Sequence, residues 1–162
     1  MVRPHVPVLG VCWLLAALLT GSSAPVPVSV TPPPSVSEQY GADVATEANA
    51  ERVRQDVPAL RPSSCLARFA DRQAQRMADR QALDHQGLQA ILASCQLLEV
   101  GENVAFGYPG APAVTQAWLR SPAHRANLLD PGHRLMAVAA HQDGDGRWYV
   151  SQVVGRDREG PR

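Results

Sequence analysis

Between Pro62 and Gln81 the apolar and polar positions fall into two separate series. Leu66, Phe69, Ala70, Gln73, Ala74, Met77 and Ala78 recur at the i, i+3, i+4, i+7 spacing, and Arg68, Asp71, Arg72, Gln75, Arg76 and Asp79 fill the positions between. That period predicts an amphipathic helix with one face on a core and Met77 as a packing residue. Pro62 with the capping serines Ser63 and Ser64 marks its start. Upstream, Asp43 to Gln55 has helix-forming composition but a weaker stripe of Ala45, Ala48, Asn49 and Val53, stopped by Pro58. Downstream, residues 88–94 read as a short helical turn and GENVAF as a short strand. Pro112 suits a first helical position, so PAVTQAWLR is read as a helix with Val114, Ala117 and Trp118 inward. Ser121 then acts as an N-cap and Pro122 as the first residue of a short helix, placing His124 in its first turn. Beyond Gly132 the pattern becomes β-prone: RLMAVAAH and RWYVSQVV flank QDGDG, whose Asp-Gly steps signal a turn. Helices first and a hairpin last predict an α+β domain, a small antiparallel sheet flanked by helices.

The first 40 residues follow neither period. Arg3, the apolar stretch Val6–Leu19 and the small residues Gly21–Ala24 make residues 1–24 a secretory signal pattern, with an uncleaved anchor as the alternative. A cut after Ala24 would leave Pro25 at the new terminus, so the cleavage position stays open. Residues 25–40, PVPVSVTPPPSVSEQY, read as a semi-extended linker. The folded domain is expected over residues 41–162, in a secreted or extracytoplasmic protein.

Charge narrows the partners. The chain of 162 residues balances 15 basic against 15 acidic groups, and every basic group is arginine. Nucleic acids and anionic membrane surfaces demand clustered positive charge. No nucleic-acid partner is therefore expected, and membrane contact only through an uncleaved signal. Of three cysteines, Cys12 lies in the signal. Cys65 and Cys95 remain, and an even pair in an oxidising compartment predicts a disulfide.

The candidate chemistry centres on LLEVGENVAFG at residues 97–107, where Glu102 and Asn103 interrupt an apolar, glycine-bounded run. A buried carboxylate needs a partner. The ionisable groups that could supply one are His85, in the loop after the first clear helix, and His124. Two imidazoles and a carboxylate suit zinc or another divalent cation, with no cofactor required. Three separate segments carry them, however, so spacing alone does not bring them together. Asn103 and Asn127 are read as backbone-bonding residues and Ser121 as a cap. Arg125 is expected to pair with an acid or a carbonyl. His133 and His141 are read as loop and strand-end residues rather than ligands.

Several segments, in order, resemble the bacterial branch of the CAP superfamily, the group of cysteine-rich secretory, antigen 5 and pathogenesis-related proteins. They are ANAERVR with Asn49 and Arg52, LARFADRQAQRMAD before His85, GENVAFG, AWLRSPAHRANLLD and WYVSQVV. The resemblance implies an α-β-α sandwich with a cleft lined by His85, Glu102 and His124. The larger eukaryotic members add a second glutamate, for which this chain has no counterpart. Ala123 also stands where the bacterial motif usually has glycine, and Met136-Ala137-Val138 where a glycine commonly opens the penultimate strand. Three functions stay open. One is a non-catalytic binding module for a metal or a small-molecule, lipid or peptide ligand. Another is a metal-assisted hydrolase of peptidase or esterase type using the three cleft residues, although HExxH and GxSxG motifs are absent. The third is a structural envelope-associated domain. No catalytic residue and no oligomeric state is assigned.

Overall fold

The computed structural model describes Met1 and residues 33–158. The expected signal beyond Met1 and residues 25–32 of the expected linker lie outside the described residues. In chain order the elements are α1 (Val36–Arg54), β1 (Arg61–Pro62), α2 (Ser64–Arg80), α3 (Leu88–Ser94), β2 (Glu99–Phe106), α4 (Ala111–Arg120), α5 (Pro122–Leu129), β3 (Leu135–Gln142) and β4 (Trp148–Arg156).

α1 begins at Val36 rather than Asp43, so the last residues of the expected linker are helical. Its start is fixed by a capping box: Ser35 Oγ accepts from Glu38 N at 3.2 Å, and Glu38 Oε2 accepts from Ser35 N at 2.7 Å. The inward line of α1 also differs from the stripe expected. It runs through Gly41, Val44, Ala48, Glu51 and Arg52, while Val53 faces solvent. The reason is Arg52. Its guanidinium donates to the carbonyls of Pro58 (2.8 Å), Leu128 (2.7 Å) and Asp130 (3.1 Å), tying α1 to the end of α5. Burial pulls the Arg52 pKa below the usual arginine range against the opposing pull of Asp130. In α4, Val114, Thr115 and Trp118 are buried, whereas Ala117 is only half-buried.

The strands form one sheet in the order β1-β3-β4-β2. The β3–β4 hairpin and the β4–β2 pair are antiparallel, but β1 lies parallel to β3, so the sheet is mixed. Arg61 and Pro62 carry no period-2 signal; tertiary contact alone makes them a strand. Both faces of the sheet are covered. Met136, Ala140, Val150 and Val154 pack with Val44, Val114, Trp118 and Leu128 of α1, α4 and α5. The alternate positions Leu135, Ala137, Ala139 and Val153 pack with Leu66, Ala70 and Ile91 of α2 and α3. β4 is buried on both faces from Tyr149 to Gly155, and its polar members Ser151 and Gln152 are hydrogen-bonded to Glu102 and Asn103. The product is the α-β-α sandwich. A disulfide between Cys65, in the first turn of α2, and Cys95, the C-cap of α3, staples the two helices of one layer.

Candidate functional site

β2 is an edge strand, and successive residues of its GEN motif face opposite layers. Glu102 pairs with Val153 and turns toward the α2 and α3 layer; Asn103 pairs with Gln152 and turns toward α5. The Glu102 residue is only 3% exposed. Its carboxylate has four donors: His85 Nδ1 at 2.8 Å, Gln86 N at 3.2 Å, Gln86 Nε2 at 2.7 Å and Ser151 Oγ at 3.1 Å. An ionised carboxylate offers about four lone-pair directions, so this one is fully committed.

His85 arrives on the loop that follows α2. Gln81 ends that helix in the left-handed conformation (φ 49°), and Gln73 Nε2 holds the loop through the Asp84 carbonyl at 2.6 Å. Because Glu102 only accepts, His85 Nδ1 donates to it and the lone pair falls on Nε2. The His85 side chain is 56% exposed while that of Glu102 is 1% exposed. The carboxylate is therefore the buried anchor and the imidazole the exposed tip.

His124 comes from the opposite helical layer. Asn127 Nδ2 donates to the Glu102 carbonyl at 2.9 Å and to Asn103 Oδ1 at 3.1 Å, and Asn103 Nδ2 donates to the His124 carbonyl at 3.1 Å. These bonds clamp α5 onto β2. Gly101 makes the approach possible, since a Cβ there would sit 2.8 Å from Asn127 Oδ1. The clamp leaves the His85 and His124 rings 6.5 Å apart between centroids, tilted by 51°. Burial, and then the neighbouring His85, hold the His124 pKa below the ordinary histidine value of 6.5. His85 thus stands between its partners, bonded to Glu102 and facing His124.

Two contributors, Gln86 and Ser151, were not singled out from the sequence. Gln86 adjoins His85, but Ser151 is recognisable only once the register sets Val153 opposite Glu102. Other expected roles differ in detail. Ser121 occupies the N-cap of α5, but its side chain makes no capping bond. Arg125 reaches the Gln55 side-chain oxygen at 3.3 Å, neither an acid nor a backbone carbonyl. His141 pairs with Asp71 at 2.8 Å. His133, read as a loop residue, is buried, and one donor atom from each of Glu99, Asp130 and His133 lies within 4.8 Å of the others. His133 Nδ1 is already committed to the Asn127 carbonyl at 3.1 Å, and Glu99 is paired with Arg156 at 3.2 Å.

The sequence pattern of the family described as "CAP: Cysteine-rich secretory protein family" matches residues 46–154, which include β2, its clamp and both histidines. The chain belongs to this family. The chain is 28% identical over 150 residues to the uncharacterized protein YkwD of Bacillus subtilis, covering 85% of this chain and 57% of that relative; the chain thus spans little more than half the relative's length. Among solved structures, the CAP domain resembles an outer surface protein of Borrelia burgdorferi, with TM-score 0.68 and 18% identity over 75% of this chain and 95% of that one. An extracellular SCP-domain protein of Bacillus anthracis gives TM-score 0.65 and 22% identity over 78% of this chain and 45% of that one. These two likenesses establish the fold. Among the described residues no helix is long and apolar enough to cross a membrane.

Proposed function

We propose that this CAP domain works outside the cytoplasm as a non-catalytic binding module whose cleft takes a divalent cation between His85 and His124. The disulfide and the surface or extracellular description of two structural relatives support the location. The commitment of Glu102 carries the binding role. A carboxylate that receives Nδ1–H of a histidine fixes the tautomer and aims Nε2 outward, the usual support for a metal-binding imidazole. Two imidazoles on one zinc ion have centroids roughly 5–6 Å apart, and the His85 and His124 centroids stand 6.5 Å apart. Glu102 then supports the site without being a ligand. With two protein ligands rather than three, the ion is held weakly and completed by water or by a ligand group.

The same geometry weighs against hydrolysis with Glu102 as general base, because no lone pair of Glu102 is left for a water. Thermal unfolding of the full chain with and without zinc tests the reading. At about a hundredfold excess of zinc over Kd the melting temperature of wild type should rise by about 5–10 °C. His124→Ala should remove the rise and His133→Ala should keep it. No rise at any zinc concentration sinks the cation site, and a rise lost only in His133→Ala assigns the ion to the Glu99, Asp130 and His133 group instead.

A further inference from the structure

The disulfide between Cys65 and Cys95 closes a loop of chain that carries half of the candidate site. Between the two cysteines lie the rest of α2, the loop with His85 and Gln86, and α3. That loop supplies three of the four bonds that commit Glu102, from His85 Nδ1, Gln86 N and Gln86 Nε2; the fourth comes from Ser151 of β4. Its two ends are fixed unequally. Before His85, Gln73 Nε2 holds the Asp84 carbonyl at 2.6 Å. After Gln86 the chain passes at once into α3, a helix of seven residues with no side-chain cap at Gly87 and one buried residue, Ile91. A helix this short does not stand alone in water. It rests on Ile91, packed with Leu66 and Ala70, and on its covalent link to α2.

The two sulfurs stand in unlike surroundings. Cys65 is the second residue of α2, a helix of 17 residues with no acid in its first turn, and Arg68 Nη2 lies 3.5 Å from its Sγ. A helix N-terminus and a neighbouring guanidinium both stabilise a thiolate. Cys95 is the C-cap of α3, at the negative end of a helix, where a thiolate gains no such support. A disulfide breaks most readily toward the better leaving thiolate, which here is Cys65. Both cysteines are half-buried rather than sealed in the core.

We infer that this disulfide is a redox switch on the cleft, opened by an external dithiol with Cys65 as the leaving sulfur. A thiolate of the dithiol attacks Cys95 Sγ, and the electron pair of the S–S bond leaves on Cys65 Sγ. The second thiol of the reductant gives up its proton and attacks its own partner sulfur in the mixed disulfide. Cys95 Sγ departs as a thiolate and takes up that proton. Two electrons enter the protein, and the dithiol ends as a disulfide. α3 then loses its link to α2 and the loop its fixed exit, so His85 and Gln86 are no longer held against Glu102. The release of the loop follows from the fold alone; its effect, a weakened cation site, rests on the function proposed above.

Amide hydrogen exchange of the full chain, oxidised and after reduction by dithiothreitol, tests the switch without any metal. Reduction should speed exchange about tenfold or more from His85 to Ser94 and leave Val150, Val153 and Val154 of β4 unchanged. Arg68→Gln should slow the reduction about threefold, while Arg72→Gln, one turn further along the exposed face, should react like wild type. With no reductant present, Cys65→Ser with Cys95→Ser should bind zinc about tenfold more weakly than wild type in calorimetric titration. Unchanged exchange from His85 to Ser94, an equal rise throughout β4, or an Arg68→Gln rate equal to that of wild type overturns the inference. Equal zinc affinity in wild type and the double variant overturns its link to the cleft. A wild type that binds no zinc refutes the cation reading instead, and the exchange and rate measurements still decide the switch.

Discussion

Glu102 and His124 show how a residue's surroundings set its task. Four donors commit the Glu102 carboxylate, and one of them is the His85 ring that it orients. His124 is the group whose titration the fold changes. Burial first, and then His85, lower its pKa below 6.5. Between the lowered folded value and 6.5 the unfolded chain binds the extra proton and the native chain does not, so stability rises with pH in that window. Below the folded value the dependence levels off, and above 6.5 the full contribution is present. Melting temperature followed from about pH 5 to pH 7.5 should therefore climb with pH, and His124→Gln should flatten part of the slope. An identical slope in that variant would show that the titration belongs to other groups.

Elements in this fold are joined by a few directed contacts. The Asn103 and Asn127 clamp joins α5 to β2, the Arg52 guanidinium joins α1 to α5, and the disulfide joins α2 to α3. The disulfide closes a loop with a sequence separation of 30 residues. Constraining a loop of that length in the unfolded chain is worth about 3.5 kcal/mol. Urea unfolding of Cys65→Ser with Cys95→Ser should show that loss, and a reductant should reproduce it in wild type. The strongly periodic α2 and the β3–β4 hairpin were legible in the sequence because their patterns follow the burial they undergo. α1 was read less well. Its inward line includes Glu51 and Arg52, and buried charged groups look like surface positions until their partners are known. β1 was invisible, since two residues hold no period.

At the scale of the whole molecule, the sheet separates two helical layers and divides Val153 from Val154. Both are fully buried, on opposite faces. Val153→Ala and Val154→Ala should each cost about 1.5–3 kcal/mol in chemical denaturation; a silent result at either would mean that face is not packed. The sequence by itself determined the class of fold and the cysteine pair and singled out His85, Glu102 and His124 as candidates, because periodicity, parity and an ordered set of family-like motifs are properties of the chain. Only the tertiary structure decided what those residues meet. Gln86 and Ser151 saturate Glu102, and His133 is buried beside Glu99 and Asp130. Each depends on register and on the approach of segments distant in sequence, and neither leaves a periodic trace along the chain.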